Sequence, residues 1–519
     1  MRVTGERTGG AYGWRAVICA AVLTFSAASL SAKEKARPNI IFILADDLGY
    51  GDVGYNAQAA TNVLARLRTP HLDRLAREGV VLTAHYAAAP VSAPSRASLM
   101  TGRVQGACSL RDNCFDRPFA ETNTLASVLK GVGYVTWAVG KWGIAGGGES
   151  GTPVTSHPLD RGFDYFYGFL DHLAGHTYYH YKGHTRNAFM GITENRTDAT
   201  DSATGIYSTD LFTAKAKQLI GSHVATRPEV PFFLYLAVNT IHGSGLCDDT
   251  LQTKARLHVP GRPYPESGVT WPLEPEPLAA RNTWIEPAYR DLPSPAARYA
   301  TAISRLDHAL GDLARELERL GIARETMVVF TSDNGPADEY GADPRNFASN
   351  APFDGFKRDV FEGGMRVPAF VRWPARIAAG SLDNAPSQFH DWMATLAAAG
   401  GAAKPAESEG VSLLPRFGAA AGPATPSLVY TQYNFPWAGN TAAFQAFAAR
   451  KGAVRGLQQM VRVGDYVALR TRMKPGESTP VRLYDVVRDP FETTDLSSRP
   501  EHQARLKELT AILDTRLRP

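Results

Sequence analysis

The stretch Pro90 to Gly102, P-V-S-A-P-S-R-A-S-L-M-T-G, gathers the residue types of a nucleophile and its oxyanion donors. Ser95 to Met100 make a good helix opening, with Ser95 as the expected cap and Pro94 fixing the backbone before it. Ser92 then sits in the turn leading into a helix N-terminus, where backbone N–H groups and the helix dipole favour an anion. Arg96, four residues on, falls in the first turn as a forked donor for a tetrahedral oxyanion or for the nucleophile itself. Taken alone, the stretch also fits an ordinary Ser-rich helix cap.

Two other places supply carboxylates. The apolar run Asn39–Ala45 reads as a buried parallel strand and is followed at once by Asp46 and Asp47. Adjacent acids at a strand end are hard to bury unless a cation compensates them. A second apolar run, Thr326–Ser332, ends in Asp333-Asn334-Gly335. Asp46, Asp47, Asp333 and the amide oxygen of Asn334 form an all-oxygen set of the kind Ca²⁺ or Mg²⁺ prefers. Such an ion would polarise an ester oxygen and hold the nucleophile at Ser92.

Basic groups stand at similar positions. Lys141 follows the strand pattern Gly133–Gly140, and His242 closes Pro231-Phe-Phe-Leu-Tyr-Leu-Ala-Val238-Asn-Thr-Ile. On local evidence each is a solvated or packed strand-end residue. His172, His176, His180 and His184 recur every four residues, which suggests helical periodicity and brings a metal cluster to mind. Gly175, Gly183 and the surrounding tyrosines favour a loop over the site instead, with His176 and His180 contacting substrate.

The elements that must position these groups alternate between apolar strand runs and amphipathic helices. Thr69–Gly79 and Thr124–Lys130 read as helices, and Arg298–Leu320 carries leucines at three- and four-residue steps. Ligand groups of such sheets gather at the carboxyl ends of the strands. Gly243–Pro295 has little periodicity and reads as a long insertion near the site. With 519 residues and 44% hydrophobic composition, the chain can bury a large core. The balance of 55 basic against 51 acidic side chains gives no sign of a nucleic-acid binder.

The first segment carries Arg2, Arg7 and Arg15 before the apolar run Ala16–Ala28 and small residues up to Ala32. This is the pattern of a cleaved secretory signal over residues 1–32, and no stable membrane span is expected. Cys108 and Cys114 could pair in an oxidising compartment or stay as thiols.

Ser92-x-Pro-Ser-Arg followed by Leu-x-Thr-Gly-Arg103 resembles the sulfatase signature. Further stretches resemble the same family in the expected order: Gly140-Lys-Trp142, Gly162–Gly168, the strand ending at His242, and Lys357 with Glu362-Gly-Gly-Met-Arg-Val-Pro368. The resemblance implies an α/β fold: a large, mixed, mostly parallel sheet sandwiched by helices, alkaline-phosphatase-like. A small C-terminal antiparallel sheet plus helix is expected with it. It also implies a catalytic domain over 38–430 and a C-terminal subdomain over 431–519.

In that family the first signature residue is oxidised to formylglycine, whose hydrate is the nucleophile. The serine at position 92 marks the serine-type subclass, which needs a radical-type sulfatase-maturating enzyme. The resemblance implies that Arg96 stabilises charge on the sulfuryl oxygens, that Lys141 contacts the sulfate and the formylglycine, and that Lys357 binds the sulfate or the metal-side oxygen. It also implies that His242 touches the sulfate and can protonate the departing alcohol oxygen, with Lys357 as its possible helper. Asp333-Asn334 separates the chain from the two-zinc phosphatases of the same superfold, which resemble Asp-His there. Two departures stand out. Gly143 replaces a histidine common after Gly-Lys-Trp, leaving its role to a downstream histidine, and no proline follows His242.

The expected activity is therefore hydrolysis of sulfate esters on a sulfated glycan or oligosaccharide, in the bacterial periplasm or outside the cell. A phosphatase or phosphodiesterase using unmodified Ser92, and a glycan-binding relic without turnover, are the competing readings.

Overall fold

The computed structural model describes residues 37–56, 66–113, 117–146, 154–185, 188–242, 259–338, 343–417, 425–435, 456–474 and 479–517. The expected signal segment, Cys114, and residues 243–258 of the long insertion lie outside them.

The main sheet has ten strands: β1 (Asn39–Ala45), β2 (Val80–Leu82), β3 (Val135–Lys141), β4 (Tyr165–Phe169), β5 (Thr193–Glu194), β6 (Thr197–Asp198), β7 (Phe232–Ala237), β8 (Thr326–Ser332), β9 (Ala369–Arg372) and β10 (Ser381–Asp383). Their spatial order is β10-β2-β9-β8-β1-β7-β3-β4-β5-β6. The five central strands, β8-β1-β7-β3-β4, are all parallel, and antiparallel pairings appear only towards the two edges. Parallel strands buried on both faces read as unbroken apolar runs, which is why these were visible in the sequence.

Helices cover both faces. Ile41 and Ile43 of β1 enter one core with α1 (Pro70–Arg77), α4 (Ser208–Thr226) and α5 (Ser294–Arg319). Ile40, Phe42 and Leu44 enter the other with α2 (Ser92–Thr101), α3 (Leu125–Gly131) and α6 (Asp391–Gly400). The strand's two-residue period thus splits its side chains between two helical layers. Helix α5 starts four residues before Arg298, the start expected from the sequence, because Pro295 can occupy a first turn that needs no backbone donor.

A separate four-stranded antiparallel sheet follows: β11 (Val429–Phe435), β12 (Gly456–Val463), β13 (Tyr466–Met473) and β14 (Arg482–Asp485). Helix α7 (Gln503–Arg516) packs Leu509 and Leu513 against it. Its other face meets Tyr86, Val91 and Met365, directly behind the Ser92 turn. A buried polar knot crosses that boundary. Tyr86 donates to both oxygens of Glu362 at 2.7 Å, and Arg462 of β12 donates to Tyr86. Buried groups of this kind persist because each satisfies the other.

Candidate active site

Ser92 is the first residue of α2, with Val91 in extended conformation before it. The helix thus begins four residues earlier than Ser95 as cap implied, with Val91 in the cap position. Pro94 lies within the first turn, where a missing N–H costs nothing. Ser95 instead accepts the Ala88 N–H at 3.2 Å, pinning the preceding segment. The shift puts Ser92 and Arg96 on one helix face at i, i+4. Arg96 Nε donates to Ser92 Oγ at 3.1 Å, and Ser92 Oγ donates to Asp333 Oδ2.

The strand ends bring the rest together. β1 delivers Asp46 and Asp47, β8 delivers Asp333 and Asn334, β3 ends on Lys141, and β7 runs on to His242. All of them are buried, as is Lys357. Arg96 reaches Asp333 Oδ2 at 2.8 Å and Asp46 Oδ2 at 3.2 Å, and is steadied by the Tyr235 hydroxyl and the Lys141 carbonyl. Lys141 Nζ pairs with Asp46 Oδ2, and Lys357 Nζ with Asp47 Oδ2 at 2.8 Å. Asn334 Nδ2 donates to Asp47 Oδ1 at 2.8 Å.

Burial sets the electrostatics. Loss of hydration, reinforced by the Asp333 carboxylate, pushes Asp46 up to about 7. Burial would raise Asp333 too, but Arg96 and Lys141 outweigh it and hold that acid below its ordinary value. Burial lowers Lys141, against the pull of Asp46. Three carboxylates thus face three basic side chains, so the chain by itself leaves this pocket close to neutral.

The donor set fits a hard divalent cation. Asp46 Oδ1 and Asn334 Oδ1 are buried acceptors with no hydrogen-bond donor among the described residues. Such acceptors are costly unless something positive meets them. A dication there would give the pocket a net positive charge suited to an anionic ester and would favour ionised Asp46.

Opposite the carboxylates stands a wall of imidazoles. His172 and His176 flank a single turn of 3₁₀ helix, Leu173–His176, and meet His242 with ring centroids 4.8 and 4.5 Å away. His172 Nε2 and His176 Nε2 are 3.3 Å apart. Burial lowers His242 and His172 well below the usual imidazole value, with Lys141 the largest charged contributor to both. Gly143 lies against the basic groups: a Cβ there would stand 3.1 Å from Lys141 Cε and 3.6 Å from Arg96 Cδ, at a φ of +72°.

His180 does not join this wall. It is buried, its Nδ1 pairs with the Met190 carbonyl at 3.1 Å, and its ring packs between Phe169 and Phe212. The four-residue spacing that suggested a helix fails after His176, where the chain turns extended. His184 is exposed in a two-residue strand. The substrate role expected for His180 is therefore replaced by a core role.

Asn239, silent in the sequence, positions the wall. Its Nδ2 donates to the Thr177 carbonyl at 3.0 Å and the Gly175 carbonyl at 3.3 Å. Its own carbonyl accepts from Tyr178, and its Oδ1 accepts from Ser208 at 2.8 Å. A buried Asn three residues before His242 was the available signal. Cys108 is a buried thiol beside Thr101, and burial pushes it up to about 12.

Comparison with known proteins gives the same direction. A family model described as Sulfatase matches residues 38–402. Mouse arylsulfatase J is 32% identical over 69% of this chain, although the match spans only 52% of that protein. Mouse steryl-sulfatase is 29% identical over 93% of this chain and 81% of its own length. Among solved structures, Ps i-CgsB in complex with k-i-k-neocarrahexaose superposes with a TM-score of 0.67 at 26% identity, covering 92% of both chains. The phosphonate monoester hydrolase of Agrobacterium radiobacter shares the fold alone, with a TM-score of 0.59 at 19% identity over 93% of this chain and 96% of its own.

Proposed function

This chain belongs to the sulfatase family of sulfuric ester hydrolases, and we propose that it removes sulfate from sulfated carbohydrates using formylglycine made from Ser92 and one Ca²⁺ or Mg²⁺ ion. The observation that carries the reading is the position of Ser92 Oγ. It lies at a helix N-terminus, in contact with Asp333 and Arg96, beside two buried oxygens that lack donors.

Asp46, Asp47, Asp333 and Asn334 would hold the ion, with the side chain at position 92 facing it. When bound, the ion supplies Lewis-acid polarisation of the sulfuryl oxygens. Oxidation of Ser92 by the maturase would remove two hydrogens, and the hydrate of the resulting aldehyde would supply nucleophilic hydroxyl chemistry at position 92, where Arg96 and Asp333 hold the side chain.

The other side chains have matching tasks. Arg96 and Lys141 stabilise negative charge on the sulfuryl oxygens from fixed, desolvated positions. His242, with Lys357 near it, assists departure of the alcohol by donating a proton to its oxygen. It can do so once the anionic ester counters the burial and the lysines that otherwise keep the ring neutral. His176 stands beside His242 and is assigned to substrate contact on that ground, and no side chain at position 143 intrudes on Lys141.

A carbohydrate substrate is supported by the oligosaccharide bound in Ps i-CgsB and by the polar and aromatic turn around His172–Tyr181. The relatives named for steryl and arylsulfatase activity support the ester chemistry. Export to the periplasm or beyond belongs to the same proposal and rests on residues 1–32. No described helix is long and apolar enough to cross a membrane.

The test is the mass of the Ser92 peptide after co-expression with a radical-type maturase, followed by sulfate release from sulfated oligosaccharides. Loss of two hydrogens with sulfate release supports the proposal. An intact serine with turnover of phosphate esters replaces it with the phosphatase or phosphodiesterase reading.

A further inference from the structure

The geometry points to a second metal site, built from His172, His176 and His242, that takes a borderline divalent cation such as Zn²⁺, Cu²⁺ or Co²⁺ through nitrogen ligands. One ring nitrogen from each of the three histidines lies within 4.8 Å of the others. The His172 Nε2 to His176 Nε2 separation is 3.3 Å. Two nitrogens on a tetrahedral ion at about 2.0–2.1 Å stand roughly 3.3–3.4 Å apart, so this pair already spans one edge of such a polyhedron.

The third ligand is offered by an independent element. His242 Nδ1 is buried with no hydrogen-bond partner among the described residues, and it faces the turn that carries the other two rings. Asn239 fixes that turn against the end of β7, so the three imidazoles need little rearrangement to converge. Three protein nitrogens leave a fourth position open, as in a site that exchanges its outer ligand.

This site differs in ligand chemistry from the oxygen set that it adjoins, where His242 also lies within 4.8 Å of a carboxylate oxygen of Asp46 and of Asp47. Imidazole selects later first-row divalent ions, whereas carboxylate and amide oxygens select Ca²⁺ or Mg²⁺. Lys141 and Lys357 face the trio and oppose a second dication, which restricts occupancy to ions with strong nitrogen affinity. Occupation would also engage His242 and block its role with the leaving alcohol. That inhibitory consequence alone rests on the function proposed above.

The experiment uses the full chain saturated with Ca²⁺ and then titrated with Cu²⁺ or Co²⁺. Wild-type protein is expected to bind one equivalent, with nitrogen hyperfine structure in the Cu²⁺ electron paramagnetic resonance spectrum. His172→Gln and His176→Gln should each weaken that binding by more than about 100-fold, above the tenfold to 100-fold typical of lost supporting contacts. Wild-type uptake without nitrogen ligation, or unchanged uptake in folded samples of both variants, overturns the site. Should a variant fail to fold, His184→Gln, at an exposed imidazole outside the trio, decides instead: loss of the signal there overturns the site, and its retention supports it. In matured enzyme, Zn²⁺ should stop sulfate release and a nitrogen-donor chelator should restore it. Absence of any turnover would count against the sulfatase reading while leaving the spectroscopic result to judge the metal site.

Discussion

The two sides of the active pocket are built in different ways. The carboxylate side is made of side chains that follow directly on central parallel strands, and each charge there has a buried partner of opposite sign. The imidazole side hangs on a short turn, and its placement comes mainly from one neutral amide, Asn239. Strand ends fix position through the sheet itself, whereas the turn depends on a few hydrogen bonds that a single substitution removes. Rigid charge placement belongs to the first side, and an adjustable surface to the second.

Four perturbations sharpen that contrast. The largest is Arg96→Ala, which leaves Asp333 in the interior without its salt-bridge partner and Asp46 with Lys141 alone. Sulfate release should fall by at least about 1,000-fold, and denaturant unfolding should show a loss of about 3–5 kcal/mol. A near-normal unfolding midpoint would mean that the carboxylate side is not held by its charges.

Removal of the divalent ion comes next. Adding Ca²⁺ at about 100 times its dissociation constant should stabilise the chelator-treated protein by about 2.7 kcal/mol. Asn334→Ala should shrink that gain, and Asn239→Ala should leave it intact. A Ca²⁺ response that depends on Asn239 would erase the distinction between the two sides.

Asn239→Ala should act on turnover instead. It leaves two carbonyls and the Ser208 hydroxyl short of partners, at about 1–3 kcal/mol of local stability. We expect roughly a tenfold to 100-fold loss of sulfate release as the His172–Thr177 turn loosens. Turnover within twofold of wild type would show that the wall needs no staple.

The smallest effect concerns His180. Burial lowers its pKa to about 4, against about 6.5 in the unfolded chain. Its neutral form contributes stability that is full above pH 6.5 and is lost as the pH falls from 6.5 towards 4, by up to about 1.4 kcal/mol per pH unit. His180→Phe should flatten the acid limb of the unfolding curve in that window and change turnover by less than about twofold. A large change in turnover would return His180 to the substrate side.

The same contrast explains what could be read from the sequence. Asp46, Asp47, Asp333 and Lys141 each end an apolar run, so their meeting at one sheet edge follows once the runs are taken as parallel strands. The start of α2 was displaced because Pro94 is as acceptable inside a first turn as before one. His180 was misplaced because a four-residue repeat says nothing of where Gly175 and the extended tyrosine stretch end the turn. Asn239 was missed because its partners at Gly175, Thr177 and Ser208 lie more than thirty positions away in sequence, and only tertiary contact reveals them.

The burial of Ser92 also sets an order of events. Only 2% of that residue is exposed, and Asp333, which closes over it, is 241 positions further along the chain. A second enzyme cannot admit a side chain enclosed in this way. On the proposed function, conversion of Ser92 would have to take place on the newly made, still open chain, before β8 joins β1. A molecule that folded first would keep its serine, and the active fraction of a preparation would then record a race between that modification and folding.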